Sequence, residues 1–166
     1  DPLAKREKED YRRFMSVVGK HIVFSSERSG FYKYFQGAVE WLLANSDACV
    51  HYVTSDPNDQ VFKLHEANPR LMPYYIGDKR LITLMMKLDC DVAVMTLDDL
   101  ENFYIKRSYI RKDIEYVYAF HHMTSTHLVC TKEAFDHYDT VLCVGPHQKA
   151  ELERAGEMRD IPRRNL

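Results

Sequence analysis

From Gly19 onward, short apolar runs alternate with stretches in which apolar residues recur at helical spacing. HIVFSS (21–26) is the first run, rich in β-branched and aromatic residues. In the GFYKYFQGAVEWLLANS that follows, Phe31, Tyr34, Phe35, Ala38, Trp41 and Leu42 fall on one helical face and are expected in the core. The unit recurs: CVHYVTSD (49–56) precedes VFKLHEAN, LMPYYIG (71–77) precedes DKRLITLMMKL, and DVAVMTL (91–97) precedes a polar, aromatic stretch to about residue 113. EYVYAFHH (115–122) and TVLCVGP (140–146) supply two more strands, and HQKAELERAG closes the series as a helix. These strands are apolar throughout, the pattern of a sheet covered on both faces. The expected fold is α/β, a Rossmann-like open parallel sheet of about six strands with helices on both sides. Residues 1–18 read as a charged helical lead-in or linker ahead of a domain at 19–166.

In open parallel sheets, ligands collect at the carboxyl ends of the strands, where loops and helix amino termini meet. The loops to read are therefore SSERSG, TSDPND, IGDKR, MTLDDLEN, HHMTSTH and VGPHQ. They offer Ser26 and Glu27, then Thr54, Ser55 and Asp56, then Thr96, then His121, His122 and Ser125, and finally His147, as groups able to contact a substrate. Each also has a plain reading as a cap or turn residue. GxGxxG, GxxxxGK[ST] and GxSxG are all absent, so no dinucleotide fingerprint, P-loop or nucleophile elbow is present.

FHHMTSTH (120–127) carries three histidines in eight positions. Adjacent residues of an extended strand point to opposite faces, so His121 and His122 do not readily share one ion, and no metal is expected. Two readings stay open, a hydrogen-bonded polar residue at a strand end, and a phosphate-contacting group or a base able to take a proton from an attacking hydroxyl.

Composition narrows the classes. Hydrophobic residues at 45% and charged residues at 29% are globular values, and a net charge of -2 lacks the basic excess of a nucleic-acid binder. Cys49, Cys90, Cys130 and Cys143 form no CxxC pair, which suits reduced thiols and a cytoplasmic setting. No apolar run reaches the roughly 18 residues of a membrane span. The chain opens on Asp1-Pro2 and stops at IPRRNL, so it is expected to be part of a longer protein.

Taken in order, FSSE after the first strand, TSDPND after the second, VMTLDDLENFYIKRS after the fourth, and FHHMTSTH followed by AFDHYDTVLCVGPHQ resemble the CDP-glycerol glycerophosphotransferase family, the teichoic-acid polymerases and primases. The resemblance runs from about residue 20 onward. It implies the N-terminal, acceptor-side half of a GT-B architecture, with the CDP-glycerol site on a C-terminal domain beyond this chain. It further implies transfer of glycerol phosphate to a hydroxyl of a lipid-linked cell-wall polymer, no cofactor, and peripheral contact with the inner face of the membrane. The family's candidate base is the histidine of a WHG-type motif. His121 matches it, with Phe120 in place of the tryptophan and His122 in place of the glycine. The competing expectation is a non-catalytic module that binds a glycan or phospho-sugar on the same fold.

Overall fold

The computed structural model describes residues 1–27, 30–97, 99–119, 133–143, 145–159, 161, 165 and 166. The strands are β1 (Lys20–Ser26), β2 (Val50–Thr54), β3 (Leu71–Tyr75), β4 (Cys90–Met95), β5 (Glu115–Ala119) and β6 (Thr140–Leu142). They form one all-parallel sheet in the order β3-β2-β1-β4-β5-β6. The helices are α1 (Pro2–Ser16), α2 (Tyr32–Asn45), α3 (Val61–Ala67), α4 (Asp78–Met86) and α5 (Pro146–Met158). The fold is thus Rossmann-like α/β, as the apolar strand runs predict. No described helix is long and apolar enough to cross a membrane.

Each face of the sheet carries its own core. On one, Phe24, Tyr52, Val94 and Val117 meet Tyr32, Phe35 and Val39 of α2 and Val61 of α3. On the other, Val23, Val53, Ala93, Met95, Tyr116 and Tyr118 meet Phe14 of α1, Leu81, Leu84 and Met85 of α4, and Leu152 of α5. Helices on both sides explain why the strands are apolar at consecutive positions.

α1 does more than precede the sheet. Its Asp1 side chain caps the helix by accepting from the Leu3 N–H at 3.0 Å. Farther along, Asp10 Oδ2 accepts the Tyr75 N–H at 2.8 Å and Arg13 donates to the Pro73 carbonyl at 2.5 Å. The outer rim of edge strand β3 is therefore covered, which removes a template for strand addition. Phe14 is fully buried, and Arg80 pairs with Glu7 at 2.8 Å.

One sequence expectation is corrected. The stripe on α2 splits: Phe35 is buried, Phe31 and Leu42 are partly covered, and Tyr34, Ala38 and Trp41 are exposed, Trp41 by 62%. Tyr32, Phe35 and Val39 form the buried line instead, because the helix is rotated to seat Phe35 against Phe24 and Tyr52. The crossover from β4 to β5, expected as a polar, aromatic stretch, has no helix among its described residues. Side-chain bonds hold it: Ser108 Oγ donates to the Leu88 carbonyl at 2.7 Å, and the Ser108 N–H donates to Tyr116 Oη at 2.8 Å. Arg107 lies over the Tyr116 ring at 4.4 Å.

Candidate functional site at the carboxyl edge

The strand order reverses between β1 and β4, the place at the carboxyl edge where open parallel sheets form a ligand crevice. Register decides which side chains meet there. Ser26 pairs with Thr54 and Ser25 with Met95, so Thr96 follows on the far side of Ser26. Side chains at matched positions share a face, so Thr54, Ser26 and Thr96 form a row of hydroxyls across β2, β1 and the end of β4. The row continues the layer of Phe24, Tyr52 and Val94, beneath α2 and α3. All three hydroxyl residues are buried.

Their bonding differs. Thr54 Oγ1 donates to Asp59 Oδ2 at 2.8 Å and accepts from the Asp56 N–H at 3.2 Å. Asp59 Oδ1 accepts the Val61 N–H at 3.2 Å, so one carboxylate ties the end of β2 to the start of α3. Burial pushes the Asp59 carboxyl above its ordinary range, against the opposing pull of the bonds from Thr54 and Val61. Ser55 Oγ donates to the Glu27 carbonyl, locking the loops after β1 and β2 together. Burial likewise raises the Tyr52 phenol, while its contact with the Ser26 side chain acts the other way.

Thr96 is the exception. It is only 1% exposed, and its Oγ1 finds no hydrogen-bond partner among the described residues. A buried hydroxyl without a partner costs on the order of 1–3 kcal/mol. The turn that follows is also strained: Asp99 at φ 62° and Glu101 at φ 72° both occupy the left-handed region without being glycine. Asn102 supports this turn by donating to the Glu133 carbonyl at 2.9 Å, and the Asp99 N–H reaches the Ala134 carbonyl at 2.9 Å. Tyr138 Oη donates to the Leu97 carbonyl.

α2 begins over this same edge. Gly30, at φ 86°, turns the chain into the helix, whose first turn has neither a side-chain cap nor an acid but does carry Lys33. Beside this buried row, the edge carries the partly exposed Glu27, Ser55 and Asp56 and a helix amino terminus, groups suited to a polyol bearing an anionic substituent.

Of the residues singled out from sequence, the fold brings Ser26, Glu27, Thr54, Ser55, Asp56 and Thr96 to one edge. His147 is an exposed residue in the first turn of α5, on the strand β6 side of the sheet. His121, His122 and Ser125 lie outside the described residues. No group of three or more metal-ligating side chains occurs among the described residues. Sequence reading missed Asp59 and Tyr52. The aspartate's signal was its place two residues before the apolar Val61, the position from which a side chain accepts the N–H that opens a helix. Tyr52 gave none, being one more aromatic in an apolar strand.

No family model, curated protein or solved structure matches the chain.

Replacing Thr96 by valine separates packing from function. The isosteric swap removes a hydroxyl that no described residue bonds, so the urea midpoint is expected to rise, by about 1 kcal/mol of stability. A loss of stability on Thr96→Val would show that the hydroxyl serves the fold instead.

Proposed function

We propose that this chain is the acceptor-side domain of a transferase that moves glycerol phosphate from CDP-glycerol to a hydroxyl of a lipid-linked cell-wall polymer. Its donor site belongs to a second, nucleotide-binding domain of a GT-B pair. The reading rests on the resemblance of the ordered loops, and one structural observation supports it: Ser26, Thr54 and the unsatisfied Thr96 converge at the point of strand reversal. A hydroxyl-rich acceptor is the kind of ligand that Glu27, Ser55 and Asp56, partly exposed beside this buried row, can hold by hydrogen bonds. Ser125, His122 and His147 remain candidate acceptor contacts from sequence.

In this mechanism His121, which follows the last residue of β5 by two positions, takes the proton of the acceptor hydroxyl. The hydroxyl oxygen attacks the β-phosphorus of CDP-glycerol, the bond to the bridging oxygen breaks, and CMP departs with glycerol phosphate joined to the acceptor. Orientation and charge stabilisation supply most of the rate in such displacements. No cofactor enters. The protein would work at the inner face of the membrane, on the cytoplasmic side, where a lipid-linked acceptor is held.

The test is release of CMP by the intact protein, given CDP-glycerol and a lipid-linked glycerol-phosphate acceptor. Turnover that requires both substrates supports the reading. Acceptor binding without turnover would favour a glycan- or phospho-sugar-binding module, and turnover with UDP- or GDP-sugars in place of CDP-glycerol would move the reaction to another donor.

A further inference from the structure

α2 is amphipathic in an unusual sense, because its outward face is itself organised. Opposite the buried line of Tyr32, Phe35 and Val39, the wheel places Gly37 and Ala44 at the centre of the exposed surface. By backbone position Tyr34 and Trp41 flank that centre on one side and Lys33 and Glu40 on the other, with the Lys33 ammonium reaching over the Tyr34 ring at 5.0 Å. Trp41 is 62% exposed and Tyr34 40%. A Cβ built on Gly37 meets nothing within 4 Å, so another backbone can approach the helix there. Gln36 Nε2 donates to Glu40 Oε1 at 2.8 Å, which holds the glutamate along the face.

We propose that this face pairs with the same face of a second copy of the chain, the two α2 helices running antiparallel about a two-fold axis at Gly37. In an isologous contact, each residue that meets a partner residue is met in return by its own symmetry mate. A perpendicular two-fold keeps each flank on its own side and reverses direction along the helix. On the polar flank this sets Lys33 against Glu40 of the second copy and Glu40 against its Lys33. On the aromatic flank it sets Tyr34 against Trp41 and Trp41 against Tyr34. The midpoints of the two pairs fall half a residue on either side of Gly37, the residue whose missing side chain lets the backbones close, an offset of about 0.75 Å each that long side chains absorb. One axis therefore satisfies charge, aromatic packing and steric access together. A neutral ligand stacked on Trp41 would leave the alternation of Lys33 and Glu40 without a purpose.

Two facing helices of this length form a small contact, below the roughly 1,200 Å² of a standard interface, so the association is weak and reversible. Trp41 is the only tryptophan of the chain and reports directly on the contact. Sedimentation equilibrium and tryptophan emission of the chain, followed from about 1 μM to about 1 mM at low salt, should show a monomer–dimer equilibrium in step with a blue shift of Trp41. Lys33→Glu and Glu40→Lys should each weaken self-association at least about tenfold, since each sets like charges face to face. An equimolar mixture of the two single variants should pair again, and so should the doubly swapped chain. Gly37→Leu should abolish the dimer while circular dichroism stays native.

A chain that sediments as a monomer throughout, or charge variants that show no rescue on mixing, would overturn the proposal. So would a Trp41 shift induced by a glycan or by anionic phospholipid vesicles while the chain remains monomeric, which would assign the face to that occupant.

Discussion

Replacing His121 by alanine in the intact protein is expected to lower turnover by about 100- to 10,000-fold, the range for removal of a positioned general base. Affinity for CDP-glycerol should be unchanged, because the proposed mechanism places the donor on a second domain. The pH profile carries the sharper prediction. With a histidine as base, the rate rises with pH through its titration near neutrality, and the alanine variant should lose that limb. Near-normal turnover in the variant, or an unaltered acidic limb, would remove His121 from the mechanism. The adjacent His122→Ala is the matched comparison: a role confined to one histidine predicts a large effect at one position only. Thr96→Val adds an independent arm. A variant that gains stability yet loses acceptor-dependent turnover would show that the unsatisfied hydroxyl is retained for the ligand.

The fold was legible because a doubly covered parallel sheet writes itself into sequence as apolar runs at regular intervals, and six such runs became six strands. What periodicity does not encode is rotation about a helix axis when both faces hold aromatics. In α2, Phe31, Tyr34 and Trp41 outnumber Tyr32 and Val39 in bulk, yet the sheet selected the second line, because Phe35 had to fit between Phe24 and Tyr52. The β4–β5 crossover was opaque for a related reason. Its order comes from Ser108, Arg107 and Arg111 reaching groups distant in sequence, including a 2.7 Å bond from Arg111 to Asp91, and such bonds leave no periodic trace. At the site, residue types were readable and convergence was not. Thr54, Ser26 and Thr96 become neighbours only through register, and Asp59 acquires its meaning from Thr54 and Val61.

Acidification supplies the second large effect, through a residue that sequence reading passed over inside a strand. His51 lies on β2 with 2% of its surface exposed, its Nδ1 sharing a hydrogen bond of 2.9 Å with the Tyr74 hydroxyl. Arg13 sits over the Tyr74 ring at 4.2 Å, and the Lys20 ammonium is held nearby by the Phe14 and Val17 carbonyls. Burial, reinforced by the charges of Lys20 and Arg13, pushes the His51 imidazole down from 6.5 to about 4. The unfolded chain thus binds a proton that the folded chain refuses. Stability from this residue is complete above pH 6.5 and falls as pH drops toward 4, by about 3 kcal/mol over the window. The carboxylates around Arg111 act in a separate range: Asp91 and Asp113, held below their ordinary value by bonds led by His21 and by Arg111 respectively, lose their contribution only as pH falls below about 4. Asp59, raised by burial, works in the opposite direction and offsets part of the loss at the acidic end. Comparison with His51→Gln isolates the histidine. The variant keeps a hydrogen-bonding group beside Tyr74 but has nothing to titrate, so its urea midpoint should stay nearly level between pH 6.5 and 4.5 while the native chain's midpoint declines. Parallel declines in the two proteins would mean that His51 accepts its proton inside the fold, and that the cluster of Arg13, Lys20 and Tyr74 does not keep it neutral.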